Sequence, residues 1–468
     1  MANEPKKGIS KALKTFFGVG DAGFSFMANI ETYYFNYFLT NVAQFSVGVT
    51  ATITTIASTV DMLLSWVYGI FLNTVRAPKW GRYRSWLVLV PWIVPFLYAF
   101  QFIRINDGPA AVVVIILATI TSHIAWNIPY TANMTMIGIA ASNAEERAAL
   151  SSSRSVWTSL ARVGYSYIGP GFVAFIAATV GQKYSYGACA FCFACLMVAG
   201  YYAHFKMFEG YEETGDEERA RLAAQGGGEK KAAGPKVNIG TFLKSNVYLL
   251  VVIIANTLAS VFSFVLGGMA AYYFEFVAGQ KGLTSTYLLI SNLFAVAGSY
   301  LARKIVSQFS TKTAALIAYG ASAALMIIAY MLRGSVWAVI WIVSIGQFFY
   351  MMSMAITPVL YSNCAIYSEW QTGINAMGAI MGFSTIPIKV GVVLRGLLIA
   401  AVLAAAGYSA EAAAAGVTQQ MSDGLAFGFM IVPAITAAAA FLCILLFFKL
   451  DDDAVDKYQK EIAARKAA

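Results

Sequence analysis

The chain has 468 residues, of which 59% are hydrophobic and 12% charged, and its formal net charge is +9. An ordinary soluble chain is about 25% charged, so a water-soluble globule of this size is excluded. The apolar residues fall in long, non-alternating runs such as 245–274 and 425–448. Since about 20 apolar residues span a bilayer as a helix, and lipid admits only helices or closed barrels, the pattern predicts an all-α polytopic membrane protein.

Lys6, Lys7, Lys11 and Lys14 precede the first apolar stretch. That stretch is full-length and holds polar residues, so it is expected to remain as the first membrane helix and not to be cleaved as a signal peptide. Six spans are predicted at 15–41, 47–75, 86–104, 109–141, 151–180 and 184–206. Six more follow at 241–278, 284–309, 313–333, 336–362, 371–408 and 421–448.

Residues three and four apart share a helix face, and several spans carry a polar seam at that spacing. The first has Asp21, Ser25, Asn29, Thr32 and Asn36, with Glu31 beside the seam. The second has Thr54, Ser58, Asp61, Ser65 and Tyr68. The fourth has His123, Asn127 and Thr131, with Pro129 expected to bend it, and the fifth has Arg154, Thr158, Arg162 and Tyr165. Seams of this kind suit a shared aqueous cavity; for the neutral residues, interhelical hydrogen bonding is the competing explanation. On the sixth span, Cys189, Cys192 and Cys195 read as small packing residues without a disulfide framework.

Residues 209–240 are charged, include Gly226, Gly227 and Gly228, and are expected to bury no core. They divide an N-terminal six-helix bundle at 1–208 from a C-terminal six-helix bundle with a short tail at 241–468. A 6+6 arrangement places the expected solute site between two pseudo-repeated bundles. In the second half Lys389 is expected deep in the eleventh span, with Arg395 on another face. A lone charge at bilayer depth costs about 3 kcal/mol on insertion scales, so Asp61 needs a counter-charge, a proton or a cation. It is the candidate coupling site, with a salt bridge to Lys389 or Arg162 as the structural alternative. Asp21 lies near a helix end, where water is expected.

Joints after odd-numbered spans hold few cations, namely Arg104, Lys183, Lys281 and Arg333, whereas the termini and other joints hold most of the rest. Basic loops stay in the cytoplasm, so both termini are expected there and the basic excess is topology, not a nucleic-acid footprint. There is no Walker sequence, H-E-x-x-H or G-x-S-x-G. A pump driven by ATP, an intramembrane enzyme and a sensor are therefore disfavoured against a carrier that needs no cofactor and no obligate protein partner.

The opening FGVGDAGFSFMANIETYYFNYFLTNVAQFSVG and the stretch TVDMLLSWVYGIFLNTVRAPKWGRYRSW, with its R-x-x-x-W-G-[KR]-[FY]-[KR]-x-W loop, look familiar. WNIPY, EERAALSSSR, YYFEFVAG, AIYSEW and IPIKVG follow in order. Together they resemble the glycoside–pentoside–hexuronide:cation symporters, the melibiose-permease-like branch of the major facilitator superfamily. The resemblance implies a rocker-switch carrier of a sugar or glycoside in a bacterial inner membrane, coupled to protons or sodium. It also implies solute contacts at Ser25, Asn127, Thr131, Arg154 and Lys389, with cation coupling at Asp61, to which the polar seams add Asn29 and Arg162 as candidate contacts. Several positions depart from the family pattern. Two sugar-facing acids become Ser25 and Asn127, a tryptophan becomes Thr131, and the second acid of helix two becomes Ser65. A sodium site near Asp61 and Ser65 is thereby incomplete. Losing two acids while keeping cations shifts the site toward positive potential, which points to an anionic sugar. A neutral oligosaccharide, or uncoupled facilitation or exchange, is the alternative.

Overall fold

A computed structural model of the protein describes residues 8–105, 108–141, 144–224, 246–373, 380 and 383–467. The chain divides into two compact units, Met1–Ala232 and Ala233–Ala468.

The N-terminal unit begins with a short α1 (Lys11–Phe16) and α2 (Val19–Tyr37), which closes in a π turn at Phe38–Val42. It continues with α3 (Val47–Thr74), α4 (Trp86–Leu89), α5 (Val94–Phe100), α6 (Pro109–Ala140), α7 (Ala144–Val180) and α8 (Gln182–Met207). A further helix, α9 (Gly215–Ala224), follows. The C-terminal unit contains α10 (Val247–Tyr272) with its own π turn at Tyr273–Val277, then α11 (Leu283–Gln308), α12 (Thr311–Met331) and α13 (Val336–Thr372). It ends with α14 (Ile386–Ala405), α15 (Ala410–Ala415), α16 (Gln419–Ala426), α17 (Val432–Phe447) and α18 (Asp452–Ala467).

Ten segments are long and apolar enough to cross a membrane among the described residues. The other two of the twelve expected spans have visible reasons for falling short. α2 carries Asp21, Glu31 and several amides and hydroxyls, which lower its hydropathy. The third span is broken into α4, a 3-10 turn at Pro91–Ile93, and α5, because Pro91 and Pro95 each remove an amide donor. Side-chain caps set other boundaries: Ser46, Ser310 and Ser335 each accept an amide three residues on, at the starts of α3, α12 and α13.

The two units repeat one packing scheme. In the first, α2 packs on α7 and α8, α3 on α6, and α5 on α8. In the second, α10 packs on α14 and α17, α11 on α13, and α12 on α17. The π turns that close α2 and α10 are each followed, two residues on, by a left-handed residue, Gln44 (φ 55°) and Gly279 (φ 63°). The repeat is therefore carried by geometry, although the sequence shows no strong internal similarity. Within the first unit α2 approaches α8 closely: a Cβ on Gly200 would lie 2.7 Å from the Cα of Gly20.

Some boundaries differ from expectation. α13 runs ten residues past 362, to a left-handed Gly373. The expected starts of spans seven and eleven lie partly outside the described residues, as do residues 225–240 of the middle segment. Residues 209–224 do fold, against the loop before α4. Arg82 pairs with Glu218, while Glu212 accepts the amides of Tyr83 at 3.0 Å and Arg84 at 2.9 Å. Arg84 Nε donates to Phe205 O at 2.7 Å. The acids of a segment unable to form a core by itself are satisfied by the basic loop, whose charge the topology argument alone did not use. Burial pushes the Glu212 carboxyl above its ordinary value, against the lowering effect of those two amides. At the other end, α18 is tied to α13 by a 2.6 Å bond from Trp370 Nε1 to Glu461 and by the Trp370–Tyr458 ring pair at 4.3 Å.

Candidate functional site

Two buried ionic clusters lie in the N-terminal unit, both spanning α2 and α6. The first is centred on Asp21, which is fully buried. Arg154 of α7 donates from Nε to Asp21 Oδ1 at 2.9 Å, and Asn133 of α6 donates to Oδ2 at 3.1 Å. Arg154 also donates to the Tyr130 hydroxyl at 3.0 Å. Asn133 turns its Oδ1 toward His204 Nδ1 at 2.6 Å, and His204 Nε2 accepts the Gly20 amide at 3.0 Å. A ring nitrogen that accepts a backbone N–H carries no proton, so His204 is the neutral Nδ1–H tautomer and a structural residue. The expectation of water at Asp21 is corrected. α7 and α8 pack over that turn of α2, and Arg154 supplies the counter-charge in place of solvent.

The second cluster is centred on Asp61 of α3, only 8% exposed. Asn127 donates to Asp61 Oδ1 at 2.8 Å and to its own helix at His123 O, 2.9 Å. His123 stands between two carboxylates. Its Nε2 is 3.2 Å from Glu31 Oε2, and its Nδ1 is 3.9 Å from Asp61 Oδ2. Gln101 Nε2 donates to the same Glu31 oxygen at 3.4 Å, and Ser122 fixes Gln101 by donating to its Oε1 at 2.9 Å. Phe24, Trp126 and Tyr130 lie between the clusters, with ring centroids 4.8 to 6.2 Å apart.

The structure thus brings Asp61 and Asn127 together, and it places Arg154 in an ion pair. Ser25 donates to Asp21 O at 2.8 Å and Ser65 to Asp61 O at 2.8 Å, both within their own helices. Asn29 is buried, and its Nδ2 has no hydrogen-bond partner among the described residues. Thr131 is half-buried and accepts from Thr135 only through its main-chain carbonyl. Arg162 is half-buried; its carbonyl accepts from Ser166, and its guanidinium has no ion pair among the described residues. Lys389 lies in the first turn of α14, two residues after Pro387; its expected depth in span 371–408 involves residues outside the described ones. Arg395 is buried one and a half turns later, over the Phe264 ring at 5.8 Å. Glu275 is held by Lys281 at 3.1 Å. Sequence reasoning missed Glu31, His123, Gln101 and Ser122 as one assembly. The available signal was Glu31 and His123 standing at comparable membrane depth.

The sequence profile of the family described as MFS/sugar transport protein matches residues 16–452. The chain belongs to that family. It is a multi-pass membrane transporter with the major facilitator fold, of the glycoside–pentoside–hexuronide:cation symporter type, and not an enzyme. Among its relatives, the glucuronide carrier protein homolog of Escherichia coli (strain K12) is 23% identical, covering 96% of this chain and 95% of the relative. The isoprimeverose transporter of Lactiplantibacillus pentosus is 22% identical, covering 93% and 88%. The solved D-xylose-proton symporter superposes with a TM-score of 0.62 at 14% identity, covering 93% of this chain and 97% of that one.

Proposed function

We propose that this family member carries a glycoside with a negatively charged group, such as a hexuronide or glucuronide, across a bacterial inner membrane by cation symport and alternating access, with both termini cytoplasmic. The observation that carries the anionic part is Arg162. The acids near it in the sequence's polar seams are engaged elsewhere: Asp21 by Arg154, Glu31 and Asp61 by His123. An arginine at membrane depth is costly without a counter-charge, and its planar fork binds a carboxylate with two parallel bonds. Solute hydroxyls fall to Asn29, with unused donor capacity, and to Ser25, Asn127 and Thr131; the Phe24–Trp126–Tyr130 cluster offers a flat apolar face. Arg154 acts through Asp21 and Tyr130. Asp61 is the coupling carboxylate.

A neutral oligosaccharide is the second reading, favoured by the Asp21–Arg154 pair, which leaves Arg162 as the one candidate site arginine of α7 still to be matched. Proteoliposome uptake of 4-nitrophenyl β-D-glucuronide against 4-nitrophenyl β-D-glucoside decides between them. Preference for the glucuronide, lost in Arg162→Gln, is expected; equal or better uptake of the glucoside overturns the anionic reading. Asp61→Asn is expected to abolish gradient-driven accumulation and to spare exchange.

A further inference from the structure

We propose that the coupling cation is a proton, held and passed along a Glu31–His123–Asp61 chain in which His123 is the transferring group. This rests on the reading of the protein as a cation-coupled carrier and specifies its ion and its path. The geometry is that of a relay: one imidazole with each ring nitrogen facing a different carboxylate, 3.2 Å on the Glu31 side and 3.9 Å on the Asp61 side. The three groups come from α2, α6 and α3, so the chain crosses three helices of one unit. The longer arm leaves a hydrogen bond to be made by a shift of about one ångström, whereas the shorter is already a hydrogen bond.

The transfer balances without any co-reactant. A proton on Asp61 Oδ2 moves to His123 Nδ1, and the proton on Nε2 moves to Glu31 Oε2. Asp61 ends as carboxylate, Glu31 as carboxylic acid, and the ring as the other neutral tautomer. Loss of the Glu31 proton to water, gain of a proton from water by Asp61, and exchange of the ring proton back to Nε2 reset the chain. Gln101 and Ser122 are positioning residues on the Glu31 side, and Asn127 plays that part on the Asp61 side.

The described contacts of Asp61 suit a proton better than sodium. Hard cations take several oxygen ligands. Asp61 is instead met by an amide NH2 from Asn127 and a ring nitrogen from His123, while the Ser65 hydroxyl is spent on Asp61 O. Other ionisable groups packed around α6 do not intrude. α4 and the α5 residues carry no charge, and Tyr98 of α5 donates to Met27 O at 2.9 Å. On α7, Arg154 is held by Asp21 and Arg162 forms no ion pair among the described residues; on α8, His204 is held by Gly20 and Asn133. Tyr68, two turns from Asp61 on α3, is buried.

The test needs no substrate, so its outcome is separable from that of the proposed cargo. Infrared spectra of the purified full-length protein are recorded against pH, and the carboxylic acid bands of Asp61 and Glu31 are assigned by Asp61→Asn and Glu31→Gln. The relay requires Glu31→Gln to move the pH at which the Asp61 band appears, and Asp61→Asn to move that of Glu31, each by about one pH unit, the scale of strongly interacting sites. In the His123→Asn background both movements are expected to vanish. The two bands titrating independently with His123 in place would overturn the proposal. So would loss of the Asp61 band on adding sodium chloride but not choline chloride, which would mark a sodium site. A failure of His123→Asn to fold leaves the first comparison decisive, since it uses only the wild-type imidazole.

Discussion

Replacing Arg154 with glutamine strands a fully buried carboxylate. Among the described residues Asp21 is compensated by Arg154 Nε at 2.9 Å, and the Asn133 bond at 3.1 Å cannot replace a cation. Breaking a buried ion pair by removing one member costs about 3–5 kcal/mol. For a unit of some two hundred residues, each kcal/mol moves the melting temperature by about 2–4 °C, so a fall on the order of 10 °C is expected. The assay is thermal unfolding followed by circular dichroism in detergent and in lipid nanodiscs, with Asp21→Asn, Arg154→Gln and the double variant in parallel. Because the double variant removes both charges, it should recover more than half of the loss seen in Arg154→Gln. A shift under about 3 °C, or a double variant no better than the arginine variant, refutes the assignment of Arg154 to a structural pair. A solute-binding arginine would show the opposite pattern, with transport lost and the melting temperature kept.

Gly20→Ala places a Cβ 2.8 Å from the His204 ring and from Tyr201, so it should sharply lower the monodisperse fraction in size-exclusion chromatography. Gly48→Ala, where nothing lies within 4 Å, should leave that fraction unchanged. Trp370→Phe removes the bond to Glu461 but keeps a ring beside Tyr458. With about 1.5–3 kcal/mol lost for a bond to a charged group, trypsin should cut α18 at Lys457, Lys460 or Arg465 several-fold faster. For Glu212, burial raises the folded carboxyl above 4.5, so its contribution to stability is full below that value and is lost as pH rises through the raised one. Glu212→Gln keeps an acceptor for Tyr83 and Arg84 while removing the titration, and its melting temperature relative to wild type should climb from pH 4.5 to 7. A flat difference would show that the carboxyl is not raised.

Helix number, order and most boundaries were legible because lipid imposes one strong rule: every backbone amide must be bonded within its own segment. The break in the third span was written in Pro91 and Pro95 but masked by unbroken apolarity. Asn127 and Asp61 each stand on a polar seam and meet at 2.8 Å, a contact that spacing within single helices does not specify. The polar seams misjudged Asp21, because distance from a helix end says nothing about which other helices cover it. Glu31 was set aside as off the seam. α2 has partners on several sides, α7 and α8 among them, so a residue turned about 100° from one polar face can belong to another. The assembly around His123 needed the meeting of α2, α3, α5 and α6, and pairwise spacing within single helices cannot disclose a four-helix junction.

The duplicated scheme of helix contacts bears on how the protein is made. Chains fold from the N-terminal end as they are synthesised, and the first unit contains the groups that meet its own intramembrane acids: Arg154 and Asn133 for Asp21, Asn127 for Asp61, and His123 for Glu31. No bare carboxylate has to wait in the bilayer for the last six helices to leave the ribosome. The second half repeats the provision with Lys281 for Glu275 and Arg333 for Asp423, so these acids find polar or charged partners within their own half.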